Sequence, residues 1–241
     1  MRFDIITLFP ELFGPMLEVG VTRRAFASEQ VAVKLWQLRD FAEGPYRRVD
    51  DRPFGGGPGM VMQAQPLWQC LQAIRADRAE PAGQQAPVVL FSPAGVSLTH
   101  AQVQSWANAQ RPGAILVCGR YEGVDQRFID SCVDAQISLG DFVLSGGEIP
   151  AMALLDAVAR LQPGVLQDAD SHAQDSFNPA VGGLLDCPHY TRPETWQGQR
   201  VPEVLLSGNH AAIAQWRHAQ RLQLTQTHRP ELLGKKGASN Q

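Results

Sequence analysis

The stretch Ile137-Ser-Leu-Gly-Asp-Phe-Val-Leu-Ser-Gly-Gly-Glu-Ile-Pro150 decides how this chain is read. It opens apolar, as a buried strand ends, crosses Gly140-Asp141, and turns apolar again at Phe142-Val143-Leu144. Ser145-Gly146-Gly147-Glu148 then leads into Pro150 and a helical pattern at Ile149, Met152, Ala153, Leu155 and Val158. Ser145 and Glu148 have capping-box spacing, and a proline suits a first helical turn. Glycines let the backbone approach a ligand where a Cβ would clash. An apolar run between them can wall a pocket for a flat ring. Taken alone, the pattern is more often a strand–turn–helix junction that binds nothing.

Outward from it, short apolar runs recur. Phe3–Phe9, Val31–Trp36, Val88–Phe91, Ala114–Cys118 and Ala135–Leu139 read as strands. Between them lie helical stretches near Thr22–Glu29, Gln65–Arg78 and Val124–Cys132, and one that Thr99 can cap, to about Ala109. On the second of these, Leu67, Cys70, Leu71 and Ile74 share one face. Strands alternating with helices predict an α/β fold with a mostly parallel sheet. Ligands of such sheets sit beyond the carboxyl ends of the strands. Three segments end there in glycine-bearing turns: Ser92–Gly95, Gly119–Gly123 and Leu139–Gly147. Phe54-Gly-Gly-Gly-Pro-Gly-Met60 has neither GxGxxG nor a following GK[ST], so a phosphate loop is unsupported. It reads either as a flexible connector or as a loop that approaches a ligand and moves.

The 241 residues are 44% hydrophobic and 19% charged, an ordinary globular composition with a sizeable core. A formal net charge of −3 excludes a globally basic nucleic-acid coat but leaves room for a local basic patch. Cys70, Cys118, Cys132 and Cys187 form no CxxC pair and no zinc spacing, which predicts buried thiols in a reduced, cytoplasmic setting. Met1-Arg-Phe-Asp runs straight into a strand, with no signal peptide expected, and no apolar stretch has membrane-span length. His172, His189, His210 and His218 lack metal spacing, so no metal ligands are assigned.

From about Leu161 the character changes. Residues 1–161 form the α/β domain, 162–176 a mobile linker, and 177–241 a small, mainly helical domain. In the last, Asn209 can cap a helix from His210 to about Leu224, with Arg217 and Arg221 one turn apart. Glu80–Pro87 reads as another linker, and Gly234–Gln241 as a frayed end.

Several stretches together resemble the bacterial tRNA (guanine-N1-)-methyltransferases of the trefoil-knotted class. They are Ile5–Pro10, Phe54–Met60, Gly119-Arg-Tyr-Glu-Gly-Val-Asp125, Leu139–Glu148, Asp156–Arg160, Asp175-Ser-Phe177, Gly183–Pro193 and Leu206-Ser-Gly-Asn-His210. The resemblance runs nearly end to end. Ser145 stands where threonine is common, and Gln174 where an acid is expected. A deep trefoil knot is implied, in which the segments around Gly119–Gly123 and Leu139–Leu144 thread through a loop. Sequence pattern alone would never suggest one. A homodimer with sites between subunits is implied too, with magnesium-dependent activity.

The implied reaction moves a methyl group from S-adenosylmethionine to N1 of the guanosine immediately 3′ of the anticodon in tRNA. Neutral guanine carries a proton on N1, so a general base is needed. The resemblance puts Asp175 in that role; without it, Asp175 reads as a helix N-cap. Arg160 is the candidate cation for the charge growing on O6; otherwise it is a basic residue at a helix C-terminus. The cofactor would lie on the three turns. Leu139, Gly140, Asp141, Phe142, Val143 and Leu144 would hold the adenine edge, with Gly146 and Gly147 behind them. Phe91, Ser92, Pro93 and Gly95 would close one wall, and Gly119, Arg120, Tyr121, Glu122 and Gly123 the other. Glu122 is equally a ribose or amino-group acceptor and a solvated loop carboxylate. RNA contacts fall on His189, Tyr190, Arg192, Arg217 and Arg221. Two rival readings remain open: a nucleotide-dependent α/β enzyme, and an RNA-binding module that holds S-adenosylmethionine as a structural ligand.

Overall fold

Five apolar runs become the five parallel strands of one sheet. A computed structural model describes residues 1–80, 85–167 and 172–234. The expected linkers at 80–87 and 162–176, and the end after Gly234, fall partly outside the described residues. The chain divides into two compact units, Met1–Leu166 and Gln167–Gln241.

In the first unit, β1 (Arg2–Thr7) leads through α1 (Gly14–Glu18) and α2 (Arg23–Ala27) to β2 (Ala32–Gln37). A short hairpin, β3 (Asp50–Asp51) with β4 (Val61–Met62), precedes α3 (Ala64–Arg78). Then come β5 (Val88–Ser97), α4 (His100–Trp106), β6 (Gly113–Val117), α5 (Gln126–Cys132), β7 (Ala135–Ser138) and α6 (Glu148–Ala159). The sheet order is β2-β1-β6-β5-β7, with every pair parallel.

Alternation along each strand sends side chains to two cores, as a pleat with period two requires. Phe3, Ile5, Val89, Phe91, Ala114 and Leu116 pack with Val103, Trp106, Leu154 and Val158 from α4 and α6. Ile6, Val88, Leu90, Ile115 and Val117 face Leu67, Cys70, Leu71 and Ile74 of α3 and Phe128 of α5. Burial on both faces explains why Val88–Phe91 and Ala114–Val117 read as unbroken apolar runs.

Local signals were largely obeyed. Thr99 and Gln102 form a reciprocal capping box, and Asn209 accepts from the Ala212 amide. Two signals were overridden. β5 continues through the turn expected at Ser92–Gly95, which survives as a bulge: both Phe91 and Val96 lie opposite Ile137 of β7. A Cβ on Gly95 would sit 2.5 Å from the Ile137 amide nitrogen, so only glycine lets the strand return there. The box expected between Ser145 and Glu148 does not form. Gly147 is the N-cap without a side-chain bond, and Glu148 is turned inward.

One charge sits inside the sheet. The Asp4 carboxylate, fully buried, accepts from Arg2 and Arg78 at 2.6 Å each and from the Trp36 indole at 2.8 Å. Arg2 and Lys34 also bind Asp77 at the rim. The first unit runs on past Leu161: Gln162 and Val165 are buried, and the Gln162 amide donates to the Ala107 and Val158 carbonyls.

The second unit contains 3₁₀ turns at Pro179–Val181 and Pro230–Leu232, the hairpin β8 (Thr195–Trp196) with β9 (Gln199–Arg200), α7 (Glu203–Leu206) and α8 (His210–His228). Its core is slight. Asn178, Leu184, Cys187 and Thr225 are its buried residues among those described.

Candidate functional site

β6, β5 and β7 are neighbours and parallel, so their carboxyl ends emerge side by side. There they enclose a cleft of about 350 Å³, within the roughly 300–1,000 Å³ range of small-ligand pockets. Phe91, Ser92 and Pro93 form one wall, Gly119, Arg120, Tyr121, Glu122 and Gly123 another. Leu139, Gly140, Phe142, Val143, Leu144, Gly146 and Gly147 complete it. Gly95 and Asp141, expected with them, are not in the lining. Gly95 serves strand packing instead.

Several lining residues were missed. Ile137 and Ser138 belong to the strand that delivers Leu139, and the Ser138 hydroxyl bonds the Gly140 amide and carbonyl at 3.1 Å. Val124, Gln126 and Pro150 also line the cleft, each just beyond a segment that was recognised.

The glycines work by absence. Gly146 and Gly147 cross directly over the end of β6: the Gly147 amide donates to the Gly119 carbonyl at 2.9 Å. A Cβ on Gly147 would lie 2.7 Å from the Cys118 Cα. No side chain fits such a crossing. The Gly-rich loop also comes to the cleft. The Glu122 amide donates to the Met60 carbonyl at 3.0 Å, and the Met62 amide to the Gly123 carbonyl at 2.9 Å. Among these residues Tyr121 adopts φ +61°, unusual for a non-glycine residue. Burial, reinforced by Asp50, raises its hydroxyl pKa, so it stays a neutral phenol.

Glu148, unforeseen as a site residue, lies beneath the cleft with 1% exposure. It accepts from the Thr7 hydroxyl at 2.8 Å and from Arg120 Nε at 2.9 Å. Arg120 also donates to the Ser145 carbonyl at 3.2 Å and stacks 4.6 Å over the Phe9 ring. The partners that satisfy a buried carboxylate explain why Glu148 forgoes the cap. Nearby, burial first and the Glu148 charge second hold the Cys118 thiol well above its usual pKa, so it acts as a neutral packing group.

Arg160 is the C-cap of α6 and lies outside the cleft. At 1.5 Å per residue, the helix carries it about 18 Å from Glu148. Asp175 belongs to the second unit, half-buried in a turn. It caps no helix; Asn178 caps the following 3₁₀ turn by accepting from the Ala180 amide.

Of the residues expected to meet RNA, His189, Tyr190, Arg192 and Arg217 are exposed. Tyr190 packs beside Trp216, ring centroids 6.2 Å apart. Arg221 is different. Its side chain is 11% exposed and donates to Asp186 through Nε at 3.2 Å and Nη2 at 3.0 Å. Arg221, expected among the RNA contacts, is thus turned inward onto a carboxylate. Burial opposes the Asp186 charge, but bonds from the Cys187 amide, Arg221 and His189 outweigh it and hold the carboxyl below its usual range.

Adjacent parallel strands closing on a glycine-walled cleft define an α/β protein built to take a small ligand at the end of its sheet. The family model of the tRNA (Guanine-1)-methyltransferase TrmD matches residues 1–235. A tRNA (guanine-N(1)-)-methyltransferase of Polaromonas sp. (strain JS666) is 68% identical over 239 residues, covering 99% of this chain and 92% of that protein. Proteins of the same name from Paracidovorax citrulli and Albidiferax ferrireducens are 69% and 70% identical over 233 residues. In both, 97% of this chain is covered, with 91% and 92% of the respective relatives. The chain belongs to the TrmD family.

Proposed function

We propose that this protein transfers a methyl group from S-adenosylmethionine to N1 of the guanosine immediately 3′ of the anticodon in tRNA, a modification that maintains the reading frame. The observation that carries the reading is the convergence of the Ser92-Pro93, Gly119–Gly123 and Leu139–Gly147 segments on one cleft, in a chain that matches the family along 1–235.

The cleft suits the methyl donor in size and chemistry: apolar walls at Leu139, Phe142 and Leu144, and backbone groups at the adenine edge. Bound there, S-adenosylmethionine supplies a methyl already activated on a sulfonium. Everything else falls to the protein. Glu122 accepts from the ribose or the amino group. Asp175 takes the N1 proton as the new N–C bond forms and the methyl–sulfur bond breaks, leaving a neutral thioether, and Arg160 offsets the charge that develops on O6. His189, Tyr190, Arg192 and Arg217 hold the RNA, whose target base leaves its stack to reach the methyl. Arg221 is no longer in that group.

Arg160 stands about 15 Å along α6 from Pro150, which lines the cleft of its own chain. We therefore propose a homodimer in which a second copy completes each site. Phe142, Val143 and Ile149, at 55%, 84% and 51% exposure, give apolar surface for such a contact. The Gly146-Gly147 crossing over Cys118 and Gly119 supports a trefoil knot at this point. The proposed division is a knotted domain, a connector at 162–176 and a tRNA-binding domain at 177–241. Residues 162–166 of the connector pack on the first unit.

No helix among the described residues is long and apolar enough to cross a membrane, and we propose action in the cytoplasm. The described residues hold no cluster of three or more metal-binding side chains. Magnesium is proposed to support activity.

The test is methyl transfer to tRNA transcripts with and without a guanosine after the anticodon, followed by nucleoside analysis. N1-methylguanosine is expected only with the first. Asp175→Asn should slow turnover by roughly 10²–10⁴-fold while both ligands still bind. Binding of both ligands without any transfer by the wild-type protein would point to the RNA-binding module instead.

A further inference from the structure

The second unit has few buried residues, yet one part of it is densely bonded. Four contacts tie α8 and its C-cap Arg229 to the segment that carries Asp175. Arg221 donates to Asp186, and its Nη2 also reaches Gln174 Oε1 at 3.5 Å. The Leu185 amide donates to the hydroxyl of Thr225, which is fully buried. Arg229 lies over the Phe177 ring at 5.6 Å. The segment then closes on itself. The Asp186 amide donates to the Ser176 hydroxyl at 2.9 Å, and the Phe177 amide to the Leu184 carbonyl at 2.8 Å. The Asn178 side-chain amide donates to the His172 carbonyl at 2.9 Å, and its backbone amide to the Asp175 carbonyl at 3.2 Å.

We propose that Arg221 is a positioning residue: through Asp186, Ser176 and Gln174 it fixes the turn that presents Asp175, so that α8 sets the placement of the base. This rests on the assignment of Asp175 as the base. The physical ground is that Gln174 and Ser176 flank Asp175, and both are held from the same Arg221–Asp186 pair. A guanidinium fork fixes direction as well as distance, which an ammonium does not. Phe177, with φ +70°, and the glycines after Val181 offer little stiffness of their own. Misplacement of a reacting group by about 1 Å costs on the order of 10²-fold in rate.

The experiment uses the full-length protein with S-adenosylmethionine and a tRNA transcript. In Arg221→Lys, kcat should fall by about 10- to 100-fold, with the KM for both substrates within about twofold of wild type. Hydrogen exchange should quicken at the amides of Phe177, Leu185 and Asp186 while the sheet of the first unit stays protected. In an Asp175→Asn background, Arg221→Lys should cause no further loss, because it acts through that residue. Thr225→Val, which releases the Leu185 amide without touching charge, should slow kcat in the same direction and less.

A raised KM for tRNA with unchanged kcat would make Arg221 a phosphate contact and overturn the proposal. So would full additivity with Asp175→Asn, or an Arg221→Lys variant whose segment exchanges as slowly as wild type. If Asp175→Asn alone turns over normally, the assignment of the base fails, whatever Arg221 does. The exchange data still report whether Arg221 holds the turn.

Discussion

The two ends of the central sheet use charge in opposite ways. At the amino end, Asp4 is enclosed by Arg2, Arg78 and the Trp36 indole. Arg78 is itself 3% exposed and also bound to Glu80. The arginines there spend donors on Asp4, Asp77 and Glu80, although Arg2 Nε is buried without a partner. At the carboxyl end of the same strand, Thr7 meets Glu148, and Glu148 holds Arg120. Around that pair the chain is stripped to glycine at positions 119, 123, 140, 146 and 147, leaving backbone and a cleft open. One end of the sheet closes the fold and the other presents a surface. The comparison teaches that a buried ion pair says little about function until its surroundings are known.

Cutting the closed end should have the largest effect. Asp4→Ala removes one of the two carboxylates on the buried Arg78 and the acceptor of the Trp36 indole, and should cost about 3 kcal/mol in urea unfolding. Ligand affinity, measured below the transition, should stay near wild type. Gly147→Val attacks the open end: its Cβ meets the Cys118 backbone at 2.7 Å. It should cost about 1–3 kcal/mol and abolish S-adenosylhomocysteine binding in calorimetry. A variant that still bound normally would remove the crossing from the ligand site. Glu148→Gln keeps shape but loses the charge-assisted bond to Arg120. It should cost about 1–2 kcal/mol and weaken cofactor binding about tenfold. The smallest effect sharpens the contrast. Lys34→Ala removes an exposed partner from the rim of the Asp4 network, and the melting temperature should not move measurably.

Much of the fold was legible because its signals are local. The unbroken apolar runs Val88–Phe91 of β5 and Ala114–Val117 of β6, and the single apolar face of α3, follow from periodicity alone. The cleft was legible from the glycine-bearing ends of those runs once a parallel sheet was inferred. What periodicity misses is pairing at long range. Thr7 and Glu148 are 141 residues apart, and nothing near Glu148 in the sequence distinguishes a buried acceptor from a capping side chain. Gly95 looked like a turn residue because the sequence cannot show that Ile137 lies against it. Arg221 looked like a surface cation because its partner, Asp186, lies 35 residues back in an irregular segment.

The seating of β6 between β1 and β5 has a consequence for synthesis. A nascent chain that has not yet extruded Gly113–Val117 holds β1 with only β2 beside it, and an edge of unpaired amides and carbonyls. Chains released before that point should aggregate, and any chaperone shielding the edge must stay until the strand emerges.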